Sequence, residues 1–210
     1  MEAALPGAVE FYLDYGSPYS YLAYRRLPEI AGRTGATIEP RIMLLGGVFQ
    51  LTGNTSPAAN QLKAPNGRRY LARFVAKYRV PFHDNPHFPV NTLKLMRGAV
   101  VAEADGFLPG YSEAIFTGMW QNRQKLDDDA VFARVLREAG LDDRHVLTRI
   151  DEDTVKAKLK AYTEAAVKRG VFGAPTFFVD DEMFFGQDRL DFVEDALNGR
   201  SWLKAGLKAG

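Results

Sequence analysis

The residues best suited to chemistry are four consecutive ones near the N-terminus, Ser17-Pro18-Tyr19-Ser20. Serine is a preferred cap at the start of a helix, and proline is favoured at the first helical position. A helix start offers unpaired N–H groups and a partial positive charge, so it can also hold an anion. The residues alone leave two interpretations open: Ser17 only caps a helix, or it also holds a thiolate there.

A thiolate beside Ser17 would have to come from a ligand, because the chain contains no cysteine. A free thiol has a pKa near ~8.5, so little of it is ionised at neutral pH. A helix start stabilises an anion by up to about 2 kcal/mol. A hydroxyl that donates to the charged sulfur adds roughly 1.5–3 kcal/mol. Together these effects would lower the thiol pKa by about one to three units and make the thiolate the main form at neutral pH.

The composition excludes several other classes of protein. Without cysteine there is no disulfide framework, no cysteine nucleophile and no cysteine-ligated metal. The net charge is +1 and the basic residues are scattered, so we predict no nucleic-acid partner. His83, His87 and His145 lack the spacing of metal ligands, so we predict no metal site. Neither a signal peptide nor an apolar run of ~20 residues is present, so we expect a cytoplasmic protein with no membrane partner.

A β-α-β unit is predicted to position Ser17. Strand periodicity comes from apolar residues that alternate with more polar ones, Val9, Phe11, Leu13 and Tyr15 with Glu10, Tyr12 and Asp14. A helix should run from about Pro18 to Arg33, and a second strand should lie around Ile38 to Leu44. The connection is long enough for a right-handed parallel crossover.

The remaining chain separates into a helical block and a second α/β part. Helical spacing of apolar residues dominates 46–150, with an irregular loop at 80–90. A helix at about 154–169, strands at 176–179 and 183–185 and a last helix opened by Gly186-Gln187-Asp188 then follow. The predicted fold class is α/β, a thioredoxin-like fold (β-α-β … α-β-β-α) with a large helical insertion. The alternative is a doubly wound sheet, which is weakened because no Gly-rich phosphate loop follows the first strand.

This order predicts a discontinuous domain organisation. The thioredoxin-like domain would comprise 1–45 and 151–200, the inserted helical domain 46–150, and the C-terminal tail 201–210. In a redox protein of this fold, the position of Ser17-Pro18-Tyr19-Ser20 would carry Cys-x-x-Cys. With serine at both ends no internal disulfide can form, so a disulfide oxidoreductase is excluded.

Four ordered segments resemble the 2-hydroxychromene-2-carboxylate isomerase family, and the resemblance spans about 9–197. They are FYLDYGSPYSYLA, LLGGVFQLTGNTSPA, NPHFPVNTL and GVFGAPTFFVDDEMFFGQDRL. This family is the bacterial branch of a group that includes kappa-class glutathione transferases and is related to DsbA-type thioredoxin-fold proteins. The resemblance implies a glutathione-dependent isomerisation of 2-hydroxychromene-2-carboxylate and trans-o-hydroxybenzylidenepyruvate in naphthalene-type aromatic breakdown. It also suggests a homodimer.

The resemblance further implies a catalytic role for Ser17 and a glutathione site at matching positions. Ser17 would hold the glutathione thiolate, with Pro18 and Tyr19 in the same loop. The other implied contacts are Asn54, the backbone of Ala174 before a cis Pro175, and Gln187 with Asp188 at the γ-glutamyl end. Two of these residues have a plain structural alternative: Asn54 as a turn residue after glycine, and Asp188 as a helix cap.

The sequence leaves two interpretations open for several further residues. Asn91 could cap the next helix and also face the substrate cleft, while Lys63, Arg68 and Arg69 could meet a carboxylate or form a solvated basic surface. The candidates for an aromatic wall are Phe49, Phe88, Trp120 and Phe172, each of which core packing would also explain. Two other functions stay open, namely a kappa-class-like transferase acting on small electrophiles and a non-catalytic thioredoxin-fold chaperone or binding module.

Overall fold

The computed structural model describes residues 7–56, 63–203 and 206. Its helices and strands in chain order are β1 (Ala8–Leu13), α1 (Pro18–Thr34), β2 (Thr37–Ile42), α2 (Leu45–Thr52), α3 (Lys63–Tyr78), α4 (Leu93–Ala104), α5 (Leu108–Trp120), α6 (Asp129–Glu138), α7 (Asp143–Arg149), α8 (Asp153–Lys168), β3 (Thr176–Val179), β4 (Glu182–Phe185) and α9 (Leu190–Leu197). A 3-10 turn, Gln187–Arg189, lies between β4 and α9. The sequence predicted that Gly186-Gln187-Asp188 would open the last helix. In the structure these residues lie in and before the 3-10 turn, and α9 begins at Leu190.

The four strands form one mixed sheet in the order β2-β1-β3-β4. β1 and β2 are parallel, with Ala8 opposite Thr37, because α1 crosses over between them. β3 is antiparallel to β1, with Phe177 opposite Phe11, and β4 is antiparallel to β3. The antiparallel half rules out the doubly wound alternative and gives the predicted β-α-β … α-β-β-α order.

The first strand ends at Leu13 rather than at Tyr15. The chain turns there because two amides bond back to Asp14: the Gly16 amide to the carboxylate at 2.8 Å and the Ser17 amide to the carbonyl at 3.1 Å. The second strand likewise ends at Ile42, before Leu44. Both strands are shorter than their apolar patterns predicted, since the patterns continue into the loops that follow.

Both faces of the sheet are buried. Phe11 stacks on Phe177 at 5.4 Å in the larger core cluster. On the opposite face, Tyr12 packs with Met43 and Phe178 in a smaller cluster. This double coverage explains why Tyr12 and Asp14, at the polar positions of the strand, are 8% and 1% exposed.

The helices predicted between 46 and 150 are α2 to α7, and residues 79–92 form the irregular loop. Their core is continuous with that of the sheet: the Tyr15 ring meets Phe116 at 4.8 Å and Tyr111 at 5.9 Å. The division into a discontinuous domain and an inserted domain stays a prediction. Most of the predicted tail, 204–205 and 207–210, lies outside the described residues.

Candidate functional site

Ser17 caps α1 and at the same time joins two distant segments. Its backbone is extended, and its Oγ accepts a hydrogen bond from the Ser20 amide at 3.1 Å. The same hydroxyl donates to the Ala174 carbonyl at 3.1 Å, 157 positions away in the chain. The side chain is only 4% exposed. Ser17 is therefore more than a local helix cap, because its hydroxyl links the start of α1 to the loop before β3.

The start of α1 keeps few free N–H groups. The Ser17 amide donates to Asp14, the Tyr21 amide to the Ser17 carbonyl, and the Ser20 amide to Ser17 Oγ. Pro18, at the first helical position, has no N–H to offer. The Tyr19 amide is thus the one N–H of 17–21 without a partner among the described residues. An anion at the start of α1 would therefore meet one free amide, that of Tyr19, whereas the sequence predicted several.

The loop before β3 presents backbone atoms to Ser17. The Ala174–Pro175 peptide bond is cis, as the resemblance implied. The loop is held by hydrogen bonds from Thr176 Oγ1 to the Gly173 carbonyl at 2.8 Å and from the Gly186 amide to the Pro175 carbonyl at 2.9 Å. The second of these bonds connects the loop directly to the 3-10 turn. A second cis bond, Phe88–Pro89, was not predicted.

The 3-10 turn brings Gln187 and Asp188 to the same region. Gln187 is 2% exposed, and its Nε2 has no hydrogen-bond partner among the described residues. Asp188 is half-buried and pairs with Arg189, and burial together with the nearby Asp188 carboxylate raises the pKa of Tyr70. Burial raises the pKa of Tyr19, and the negative charge of Asp188 raises it further. The carboxylate therefore lies close to the loop that starts α1.

Asn54 contacts the loop before β3. It is exposed, and its Nδ2 donates to the Phe172 carbonyl at 2.9 Å, two positions before Ala174. Its Oδ1 accepts from the Thr55 amide at 2.8 Å. Asn54 therefore combines a turn-type hydrogen bond with a tie to the 172–175 loop. A direct contact with a ligand stays a prediction.

The polar residues whose role the sequence left open lie on two segments that contact the start of α1: the Tyr19 hydroxyl donates to the Gly67 carbonyl at 3.2 Å, and the Thr92 hydroxyl donates to Asp14 at 3.1 Å. The Asn91 side chain accepts from the Leu93 amide at 3.0 Å, next to the Thr92 cap of α4. Arg68 and Arg69 are exposed on α3. Lys63 is the first residue of α3, but its side chain lies outside the described residues. None of these observations assigns a ligand contact.

The aromatic candidates differ in exposure. Trp120 is 2% exposed and stacks on Phe82 at 5.7 Å, so it belongs to the core. Phe88 packs on Trp120 at 5.9 Å and is 38% exposed. Because Trp120 Nε1 donates to the Tyr15 carbonyl at 2.9 Å, this pair stands beside the loop that leads to Ser17. Phe49 and Phe172 are half-buried.

Sequence reasoning missed three residues around the Ser17 loop, namely Asp14, Thr92 and Tyr70. The Asp14 carboxylate is buried and accepts hydrogen bonds from the Gly16 amide, the Leu45 amide and the Thr92 hydroxyl. Tyr70 of α3 contacts the Tyr19 ring edge-on at 6.3 Å. The sequence did give one signal for Asp14, because it is an acidic residue at the end of an otherwise apolar strand. The hydrogen-bond partners of Asp14 could not be predicted from local spacing.

Two features of the described residues bear on other classes of function. No three His, Asp or Glu side chains among them are grouped so that they could hold a metal ion. No helix within the described ranges is long and apolar enough to cross a membrane.

Comparison with known proteins gives a consistent picture. The family model of the DSBA-like thioredoxin domain matches residues 8–198. The 2-hydroxychromene-2-carboxylate isomerase of Sphingobium xenophagum is 31% identical over 192 residues, 90% of this chain and 97% of the relative. Glutathione S-transferase kappa 1 of Rattus norvegicus is 27% identical over 212 residues, 94% of this chain and 93% of the relative.

A solved structure of a 2-hydroxychromene-2-carboxylate isomerase also resembles the chain. The TM-score is 0.83 at 29% identity, with 95% of this chain and 98% of the other covered. Together with the family model, this similarity confirms the predicted thioredoxin-like fold class and the resemblance drawn from the four sequence segments.

Proposed function

Since the chain belongs to the 2-hydroxychromene-2-carboxylate isomerase family of DSBA-like thioredoxin domains, we propose that it is a glutathione-dependent isomerase. Its reaction would interconvert 2-hydroxychromene-2-carboxylate and trans-o-hydroxybenzylidenepyruvate, or a related aromatic catabolite. The observation that carries this proposal is the buried Ser17 hydroxyl, which bonds the residue before cis Pro175 in a chain without cysteine. The cytoplasmic location and the homodimer stay predictions.

The residues around Ser17 fit glutathione at three points. The buried Gln187 Nε2, which lacks a partner among the described residues, is a donor for the γ-glutamyl carboxylate. The Asp188 carboxylate beside Tyr19 is an acceptor for the γ-glutamyl ammonium. The Ala174 backbone would pair with the cysteinyl backbone, as the resemblance implies. Asn54 would then fix the loop that presents Ala174 through its bond to Phe172.

The Ser17 hydroxyl already has an acceptor, and this determines how it would work. A thiolate is a stronger acceptor than a neutral carbonyl, so the hydroxyl proton would turn from the Ala174 carbonyl to the sulfur. The carbonyl would then be free to accept an N–H of the ligand. Throughout this change the Ser17 Oγ keeps accepting from the Ser20 amide, which holds the oxygen in place. The Tyr19 amide would supply the second donor to the sulfur.

When bound, glutathione would supply a sulfur that adds reversibly to the conjugated substrate, so that a double bond becomes a rotatable single bond before elimination. The protein would hold the sulfur ionised through Ser17 and Tyr19. A hydrogen bond to a charged group is worth about 1.5–3 kcal/mol, which lowers a thiol pKa by about one to two units. Positioning of the two reactants would supply the rest.

The second candidate function is a kappa-class-like glutathione transferase. It is favoured by the 27% identity to the rat kappa enzyme, which extends over nearly the whole of both chains. The two functions would share the thiolate at Ser17 and differ in whether the adduct is released. An isomerase consumes no glutathione over many turnovers, whereas a transferase consumes one molecule per product.

The test is steady-state turnover of 2-hydroxychromene-2-carboxylate with product analysis and a parallel measurement of remaining glutathione. The proposal expects interconversion of the two isomers with glutathione unchanged. Stoichiometric loss of glutathione would favour the transferase. A chain that neither turns over the substrate nor shows a glutathione-dependent thermal shift would be neither enzyme.

A further inference from the structure

Asp14 is a buried carboxylate without a basic partner among the described residues. It is 1% exposed, and its oxygens receive hydrogen bonds from neutral donors. An isolated buried charge is costly, and burial raises the pKa of Asp14 although all three donors lower it. A carboxyl group kept under these conditions calls for an explanation beyond packing.

The three donors come from three different segments. Asp14 Oδ1 accepts from the Gly16 amide at 2.8 Å, in the loop that leads to Ser17. Oδ2 accepts from the Leu45 amide at 2.8 Å, at the start of α2, and from the Thr92 hydroxyl at 3.1 Å, at the start of α4. Both helix starts carry partial positive charge, which offsets the buried negative charge. Asp14 thus connects the Ser17 loop to the helical block.

The Thr92 side chain bonds Asp14 rather than the helix that Thr92 precedes. It occupies the cap position of α4, yet its side chain makes no capping hydrogen bond there. The hydroxyl donates to Asp14 instead, and its methyl group lies against the loop. A Cβ placed on Gly16 would come within 2.9 Å of Thr92 Cγ2 and 3.3 Å of Asp14 Oδ1. The loop is therefore enclosed between the Asp14 carboxylate and Thr92, with room only for glycine.

The main chain of Asp14 also forms a direct hydrogen bond with Ser17. Its carbonyl accepts from the Ser17 amide at 3.1 Å. A displacement of Asp14 would therefore move Ser17, whose hydroxyl must stay within reach of both the Ser20 amide and the ligand sulfur. Two of the three donors to the carboxyl group are backbone amides, which can only donate, so the oxygens that face them must act as acceptors.

We infer that Asp14, through Thr92, is a positioning residue for Ser17: it sets the α1 start against α4 and so controls the chemistry at the sulfur rather than the affinity for glutathione. This inference rests on the proposed function. It assigns the role to a residue that touches neither substrate nor glutathione. It predicts that turnover and the thiolate fraction fall together when the Asp14–Thr92 bond is lost.

The test compares Thr92→Val, which removes the hydroxyl, with Thr92→Ser, which keeps it. Thr163→Val is the matched control, because Thr163 is also a buried threonine whose hydroxyl holds the start of α2, accepting from the Leu44 amide at 3.0 Å. The readouts are kcat, KM for glutathione, and the ultraviolet absorbance of the bound thiolate at fixed pH. Thermal denaturation reports the stability of each variant.

We expect Thr92→Val to lower kcat by about tenfold and to lower the thiolate absorbance, with KM for glutathione little changed. Thr92→Ser should stay near the wild type, and Thr163→Val should lose stability without losing thiolate. Asp14→Asn is the second variant: its new NH₂ group would face the Gly16 or Leu45 amide, both donors, so kcat should fall further.

Three results would overturn the inference. If Thr92→Val keeps both kcat and thiolate absorbance while only its stability falls, the Asp14–Thr92 bond is purely structural. If Thr92→Ser loses as much turnover as Thr92→Val, the hydroxyl is not the group that matters. If wild-type protein with glutathione shows no thiolate absorbance, the proposed function fails and this inference fails with it.

Discussion

The starts of α1 and α6 carry the same type of local signal and do different things. Asp128 at α6 is exposed, and within the part of the chain that the structure describes its carboxylate accepts only from the Ala130 and Val131 amides, two and three positions along. Ser17 at α1 is buried and also donates to Ala174, 157 positions away. A helix cap therefore marks a candidate site when its side chain is buried and also bonds a segment that is distant in the sequence.

Ser17→Ala should give the largest effect and the sharpest contrast between the two helix starts. It removes a donor to the thiolate worth about 1.5–3 kcal/mol, so turnover should fall by about tenfold to a hundredfold. Glutathione binding should change little, because the proposed contacts at Ala174, Gln187 and Asp188 remain. Steady-state kinetics and calorimetric titration measure the two quantities. Unchanged turnover would reduce Ser17 to the same role as Asp128.

Gln187→Leu should give the next largest effect, on binding. The substitution removes the buried Nε2, which lacks a partner among the described residues, and fills similar volume. Loss of a hydrogen bond to a carboxylate should weaken glutathione binding by about tenfold. The free energy of unfolding should hold or rise, because an unsatisfied polar group is gone. Tight glutathione binding by this variant would remove Gln187 from the proposed site.

Asp128→Ala should affect stability alone. Loss of the α6 cap should lower the free energy of unfolding by about 1 kcal/mol. Ser17→Ala loses a cap bond, to the Ser20 amide, and also the bond to the Ala174 carbonyl, so it should lose at least as much stability as Asp128→Ala and, unlike it, should lose turnover. Urea denaturation and the isomerase assay together measure this pair. A loss of turnover in Asp128→Ala would show that cap loss as such impairs the enzyme.

Ser20→Ala should give the smallest effect, although Ser20 belongs to the same four-residue motif. Its hydroxyl is buried and has no partner among the described residues. Its amide, which bonds Ser17, is retained in the variant. Turnover should therefore stay at the wild-type level, and stability should hold or increase by up to about 1 kcal/mol. A large loss of turnover would show that the second serine also takes part in the reaction.

The sequence predicted what depends on local pattern. Periodicity indicated the strands and most helices, and the motif placed Ser17 at the start of α1. The resemblance supplied cis Pro175, which local pattern does not reveal. The strand end at Leu13 was missed because the alternation of apolar residues continues into Tyr15, whose ring is buried by the helical block rather than by the sheet.

Asp14 shows why the rest could not be predicted. Its partners Leu45 and Thr92 are 31 and 78 positions away, so no local spacing connects them. Thr92 has the chemistry of a helix cap, yet its hydroxyl serves Asp14 rather than α4. Such assignments depend on how segments pack, which the long-range contacts of the fold decide.

The most direct test of the account is a crystal structure of the protein with glutathione bound. The account predicts that the glutathione sulfur lies within hydrogen-bond distance of Ser17 Oγ and the Tyr19 amide, with the Ala174 carbonyl accepting from the ligand. A sulfur atom that settles away from Ser17, while the hydroxyl keeps its bond to Ala174, would contradict it.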